Sequence, residues 1–223
     1  MYDVKKSLHA VLDTLPSGVR LVAISKFHPA EYIEAAYAEG QRIFGESHEQ
    51  ELRVKHEQLP KDIEWHFIGH LQTNKVKYIA PYVSMIEAVD SLKLLQEINR
   101  QAERCGRVIR VLLELHIAEE ATKYGLTLDA CRELLEGGEW RTMNHVQICG
   151  LMMMASFVDD QEQIRREMQT AADFFDEVKM KYFVNDDAFC ERSWGMSDDY
   201  RIACETRSTM VRIGTAIFGP RIY

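Results

Sequence analysis

No Gly-x-Gly-x-x-Gly turn and no phosphate-loop lysine motif occurs in this chain, which closes the usual glycine-rich routes to a bound nucleotide. No apolar run is long enough to span a bilayer, and Met1-Tyr2-Asp3-Val4 does not begin a signal peptide, so neither a membrane nor export is expected. Positive charge is in deficit: 27 Lys and Arg against 35 Asp and Glu leave a net charge of −8, which disfavours nucleic acid as a partner. The 5 cysteines (Cys105, Cys131, Cys149, Cys190 and Cys204) are scattered, odd in number and never in a C-x-x-C pair. That spacing suits reduced thiols in the cytoplasm better than a disulfide framework or a zinc site; no structural metal is expected.

What is present is an ordinary globular composition, 46% hydrophobic and 28% charged over 223 residues, enough to bury a core without disulfides. Residues 2–15 place Val4, Leu8, Val11, Leu12 and Leu15 on one helical face, and Pro16-Ser17-Gly18 stops the pattern. Leu21-Val22-Ala23-Ile24-Ser25 then reads as a strand that ends on an amine, Lys26. Pro29 opens a second helix that Gly40 closes. Further strands are expected at 42–45, 64–69, 84–89, 108–117, 146–155, 192–197 and 210–218. Helices are expected at 49–58, 73–80, 91–105, 128–135 and 160–181, with a shorter turn at 198–205.

Eight strands alternating with helices imply parallel pairing and right-handed crossovers, hence an α/β fold: one (β/α)8 TIM barrel over residues 1–223, with an extra N-terminal helix. An open doubly wound sheet is the alternative. The chain stops at Tyr223, close behind the last strand, so no helix is expected after strand eight and the N-terminal helix is the natural cover for the gap. The run Leu151-Met152-Met153-Met154 reads as strand core, and the charged face of the 160–181 helix as solvated surface.

A barrel's active face lies at the C-terminal ends of its strands, and phosphate is often held after strands seven and eight. Lys26 ends strand one, next to strand eight in a closed barrel, so it should face Gly195-Met196-Ser197 and Arg212-Ile213-Gly214-Thr215. Alone, Lys26 reads more simply as a strand-end lysine laying its stem across apolar neighbours, and Arg212 as the partner of an interior carboxylate. Together they describe an imine-forming amine, an anion cradle of glycines and hydroxyls, and an inward arginine, a combination suited to pyridoxal 5′-phosphate. Asp198 and Asp199 stand beside the cradle and compete for its amides.

Several segments resemble, in order, the motifs of the YggS/PROSC family of pyridoxal phosphate homeostasis proteins: Ile24-Ser25-Lys26, Phe44 through Glu51, Trp65 through Lys75, Gly150-Leu151-Met152, Gly195 through Asp199 and Val211 through Gly219. The resemblance covers nearly the whole chain. It implies a barrel like the N-terminal domain of alanine racemase, with Lys26 as the Schiff-base lysine, Met196, Ser197, Gly214 and Thr215 on the phosphate side and Arg212 at the pyridine nitrogen. The chain departs from the family pattern at Ser47-His48, where Asn-Tyr is usual, at His116, where Asn precedes the Lys123-x-Gly125 element, and at Arg207, where glycine is usual.

An arginine at the pyridine nitrogen disfavours its protonation and so weakens the ring as an electron sink, which speaks against a transaminase or decarboxylase. Racemases related to the family take a second base from a C-terminal domain, which is not expected here. The implied activity is that of a carrier and buffer of pyridoxal phosphate that serves vitamin B6 homeostasis, with apo forms of pyridoxal phosphate-dependent enzymes as recipients and a monomer as the default state. A low-activity amino-acid racemase is the runner-up, with His48, His70, Tyr82 or His116 as second base. A metal-dependent hydrolase using His66 and His70, for which no carboxylate partner stands out, and a pure interaction module are the remaining alternatives.

Overall fold

The computed structural model describes residues 2–117 and 124–220. Helix α1 (Val4–Leu12) is capped by Asp3, whose carboxylate accepts from the Lys6 N–H at 3.0 Å, and it buries Val4, Leu8 and Val11. It stops at Leu12 instead of Leu15, because Pro16 excludes helical geometry at the residue before it and the chain leaves through tight turns from Val11 and Leu12.

Eight strands follow: β1 (Arg20–Ile24), β2 (Ile43–Glu46), β3 (Glu64–Phe67), β4 (Met85–Val89), β5 (Ile109–Leu115), β6 (Val146–Met153), β7 (Glu191–Ser193) and β8 (Met210–Ile213). Each pairs in parallel with the next, and β8 returns to β1 through Val22 opposite Arg212, so the sheet is the closed barrel that the alternation implied. The connections carry α2 (Ala30–Ala38), α3 (Glu49–Gln58), α4 (Val76–Ile79), α5 (Leu92–Arg104), α6 (Leu128–Gly137), α7 (Gln161–Tyr182) and α8 (Tyr200–Glu205), and α9 (Thr215–Phe218) follows the last strand.

That last element corrects the sequence reading, which ran strand eight to Phe218 and placed no helix behind it. The strand ends at Ile213, and the N–H groups of Ile217 and Phe218 turn back to the Gly214 carbonyl. Ile217 and Phe218 are buried either way, so their apolar character carried no sign of the change in backbone. Helix α1 packs against α9 and α2 and shares with α9 the covering of this side. Strands three, six and seven were likewise drawn too long: β3 ends at Phe67, β6 at Met153 and β7 at Ser193. Ile68 and Met154, just past the first two of these ends, stay apolar because they line the barrel mouth, whereas Trp194, past the third, is buried in the core.

Both faces of a barrel strand are buried, which is why β1 is apolar throughout. Leu21 and Ala23 join the layer between sheet and helices with Phe44, Trp65, Val211 and Ile213. Val22 and Ile24 face the barrel interior with Met85, Leu112, Cys149, Met152 and Met210. Leu151, Met152 and Met153 are core as expected, while Met154 is half-buried and reaches the cavity described below. All five cysteines are free. No helix among the described residues is long and apolar enough to cross a membrane.

Candidate functional site

A cavity of about 840 Å³ opens at the barrel mouth, within the range of small-molecule sites. Lys26, Met196, Ser197, Arg212, Gly214 and Thr215 all line it, so the six residues singled out from sequence are brought together. The inward and outward alternation of β1 continues past its end: Ile24 faces in, Ser25 turns to Glu46 outside the barrel, and Lys26 enters the cavity wall half-buried. The turn is tight, with Phe27 in the left-handed region at φ 63°.

Across the mouth, Gly195 has φ 97°, and a Cβ there would lie 2.5 Å from the Ala203 Cβ. A Cβ on Gly214 would lie 3.0 Å from the Ile24 carbonyl oxygen. Both positions let main chain approach where any side chain would crowd. The Gly214 N–H donates to Ser197 Oγ at 3.3 Å, which joins the two loops. Asp199, buried, accepts from the Met196 N–H. Burial raises its carboxyl above the usual range, while the Met196 hydrogen bond opposes that shift. The competition expected from Asp199 is therefore realised at Met196, whose amide is already engaged.

Arg212 is 3% exposed and held inside the barrel by a polar chain that spans it. Its Nη1 donates to the Ser193 carbonyl at 2.7 Å and to Ser193 Oγ at 2.6 Å, and Nη2 donates to the Met153 carbonyl at 2.8 Å. Ser193 Oγ donates to Glu87 Oε2 at 2.6 Å, and Glu87 Oε1 is 2.7 Å from His66 Nδ1. Burial opposes ionisation of Glu87, but His66, Arg212 and Ser193 outweigh it and hold the carboxyl below its usual range. Among the described residues these bonds use three of the five guanidinium N–H groups and leave Nε–H and one on Nη2.

The carboxylate partners that did not stand out from sequence exist: His66 pairs with Glu87, and His70 Nδ1 lies 3.1 Å from Asp90 Oδ2. His48 and His70 line the cavity, whereas Tyr82 stacks on His56 with ring centroids 3.8 Å apart, away from it. His116 is not among the lining residues. Of the departures from the family pattern, Ser47 and His48 are on the cavity wall. Arg207 instead occupies a surface turn at φ 66°, where it pairs with Asp176 at 2.7 Å. Lys123 lies outside the described residues; Gly125 approaches the main chain of Leu115 and His116.

Sequence reasoning passed over Glu114, Tyr124 and Ser156, all of which line the cavity. Glu114 is 3% exposed, and burial, with the nearby Asp90 charge, pushes its carboxyl up to about 7 against the pull of Arg212. A lone acidic residue inside the apolar run Val111–Leu115 was the signal available for it.

Comparison with known proteins agrees with this geometry. The description "Alanine racemase, N-terminal domain" matches residues 4–221. A protein of Aquifex aeolicus named pyridoxal phosphate homeostasis protein is 37% identical over 205 residues, 92% of this chain and 88% of that one. PipY of Synechococcus elongatus PCC7942, solved without pyridoxal phosphate, superposes with a TM-score of 0.91 at 32% identity, covering 97% of this chain and 100% of its own. The PipY structure with pyridoxal phosphate bound gives 0.87 at the same identity and coverage. From its closed barrel, its mouth and these likenesses, this chain belongs to the pyridoxal phosphate homeostasis proteins, within the alanine racemase N-terminal domain family.

Proposed function

We propose that this chain binds pyridoxal 5′-phosphate in the barrel-mouth cavity, holds it as a Schiff base on Lys26, and acts in intracellular homeostasis as a carrier and buffer of the cofactor. The observation that carries this reading is the convergence of Lys26, Arg212 and the Gly214-Thr215 strip on one cavity. The PipY structure with pyridoxal phosphate bound, and the name shared by the relatives, support it.

The residues fit the ligand. Gly214 brings main chain to the cavity wall beside Ser197 and Thr215, whose hydroxyls can meet an anion, and Met196 flanks them with its amide engaged by Asp199; Gly195 lets the preceding loop pack closely against Ala203. When bound, the cofactor supplies an aldehyde. The neutral amine of Lys26 adds to that carbon, a C=N bond forms and water leaves; hydrolysis or exchange with another amine reverses the step. Arg212, anchored by Ser193 and Met153, donates at the ring nitrogen without protonating it, which leaves the ring a weak electron sink. Binding and release fit this site better than carbanion chemistry. Recipients would be apo forms of pyridoxal phosphate-dependent enzymes, met by a monomer in the cytoplasm.

The test is the visible spectrum of the purified chain with added pyridoxal phosphate beside Lys26→Ala, followed by borohydride reduction and peptide mapping. An imine band that is absent from the variant, with label trapped on Lys26, is expected. No band, or label on another lysine, overturns the reading. Because His48 and His70 line the same cavity, weak amino-acid racemisation is the second reading, and exchange of the alanine α-proton for deuterium would reveal it.

A further inference from the structure

The turn that carries Lys26 is gripped from outside the barrel. Ser25 Oγ donates to Glu46 Oε1 at 2.6 Å, and the Ser25 carbonyl accepts from Lys55 Nζ at 2.8 Å. On the other side of Lys26, the Phe27 N–H donates to Glu51 Oε1 at 2.7 Å. Lys55 Nζ closes the set by donating to Glu46 Oε1 at 2.8 Å and to Glu51 Oε1 at 2.6 Å. Both neighbours of Lys26 are thus tied to one ion cluster built on β2 and α3.

Lys55 is itself no candidate for the cofactor amine. Its three ammonium protons have three oxygen acceptors, its side chain is 6% exposed, and it does not line the cavity. Stability alone gives little reason for such a cluster, because apolar packing of the same volume generally holds two elements together as well as a buried ion pair does. What apolar packing cannot do is hold a carbonyl, a hydroxyl and an N–H in fixed directions.

The backbone of this turn needs such direction. Phe27 is in the left-handed region, which a β-carbon disfavours, and Glu51 accepts from the N–H of that same residue. Two residues earlier, Ser25 must stay turned outward if Lys26 is to point inward, and Glu46 and Lys55 hold it there.

We propose that Lys55, with Glu46 and Glu51, forms a positioning set that orients Lys26 toward the cavity by clamping the peptide units on either side of it. The proposal rests on the reading of Lys26 as the cofactor amine. Lys55→Met removes the ammonium that ties the two carboxylates to Ser25. Lys55→Arg keeps a charged donor that can reach the same oxygens. Glu51→Ala cuts the tether to Phe27, one acceptor of Lys55 and a 3.9 Å contact with His48 Nδ1, from a side chain that is 22% exposed.

The experiment follows imine formation by absorbance for the full-length chain and each variant, from pH 6 to 9, maps the borohydride-trapped label, and records the thermal melt. Wild-type protein is expected to carry the label on Lys26. Lys55→Met is expected to bind at least about tenfold more weakly, and to form the imine more slowly per folded molecule, because a misplacement near 1 Å is enough to lose such factors. Lys55→Arg should recover most of the loss, and Glu51→Ala should fall between. Glu51→Ala keeps the test decisive if Lys55→Met does not fold. Variants that melt earlier yet match wild type in affinity, rate and pH profile per folded molecule overturn the positioning role and leave Lys26 as the amine. Wild-type protein without label on Lys26 overturns both readings.

Discussion

Two buried polar clusters flank the cavity, and they hold different things. The outer one, Ser25, Glu46, Glu51 and Lys55, lies between β2 and α3 and fastens main chain, namely the turn that bears Lys26. The inner one, His66, Glu87, Ser193 and Arg212, crosses the barrel interior and fastens a side chain, the guanidinium of Arg212. A flexible lysine on a loop needs its backbone set, because its own long chain can then adapt to the ligand. A planar arginine on a strand already has its backbone set by the sheet, and it needs its fork fixed instead. Glu46 expresses the exposure of the outer cluster to desolvation: burial pushes its carboxyl up to about 7 even against Lys55.

The most severe way to break this comparison is Glu87→Leu. It leaves Arg212 and His66 buried without their common partner, and urea unfolding is expected to show a loss of about 3–5 kcal/mol, with weaker pyridoxal phosphate binding in whatever remains folded. If the loss is below about 1 kcal/mol, the inner cluster is not a coupled network. A smaller loss is expected for Gly195→Ala, about 2 kcal/mol, from a left-handed φ of 97° and the crowding of Ala203. The same urea titration checks it, and a loss no greater than that of a surface alanine substitution would show that the loop relaxes freely.

The smallest effect concerns Glu114, which belongs to neither cluster. Its folded-state carboxyl is raised to about 7 from 4.5, so it binds a proton more tightly folded than unfolded. That contribution is fully present below about pH 4.5 and is lost as the pH rises through about 7. Stability at pH 6 should exceed that at pH 8 by about 1 kcal/mol from this group, and Glu114→Gln should remove that share. Glu46 shifts in the same direction and leaves a residual slope in the variant. An unchanged slope in Glu114→Gln would show that Glu114 is not its source.

The barrel was legible because eight apolar runs alternated with amphipathic segments, a pattern that a buried parallel sheet enforces along the whole chain. The ends of strands were not, since Ile217 and Phe218 are buried in a helical turn as they would be in a strand. Among residues that line the cavity, Lys26, Arg212 and Gly214 were legible from their place at strand ends and from alternation. Glu87 and Glu114 were passed over inside apolar strands, although a lone carboxylate there must find a partner or hold its proton. The grip of Lys55 on Ser25 could not be read at all, because 30 residues separate them and only closure of the fold brings them together.

Pairing of β1 with β8 joins the first strand to the last. Lys26 follows the first strand, but Arg212 stands on the eighth and Gly214 and Thr215 follow it. The cavity wall that these residues share therefore exists only once the first and eighth strands have met. That meeting is the longest-range strand pairing in the barrel and the costliest in loop closure. On the proposed reading, an imine on Lys26 thus reports that the whole barrel, and not merely the region around the lysine, has folded.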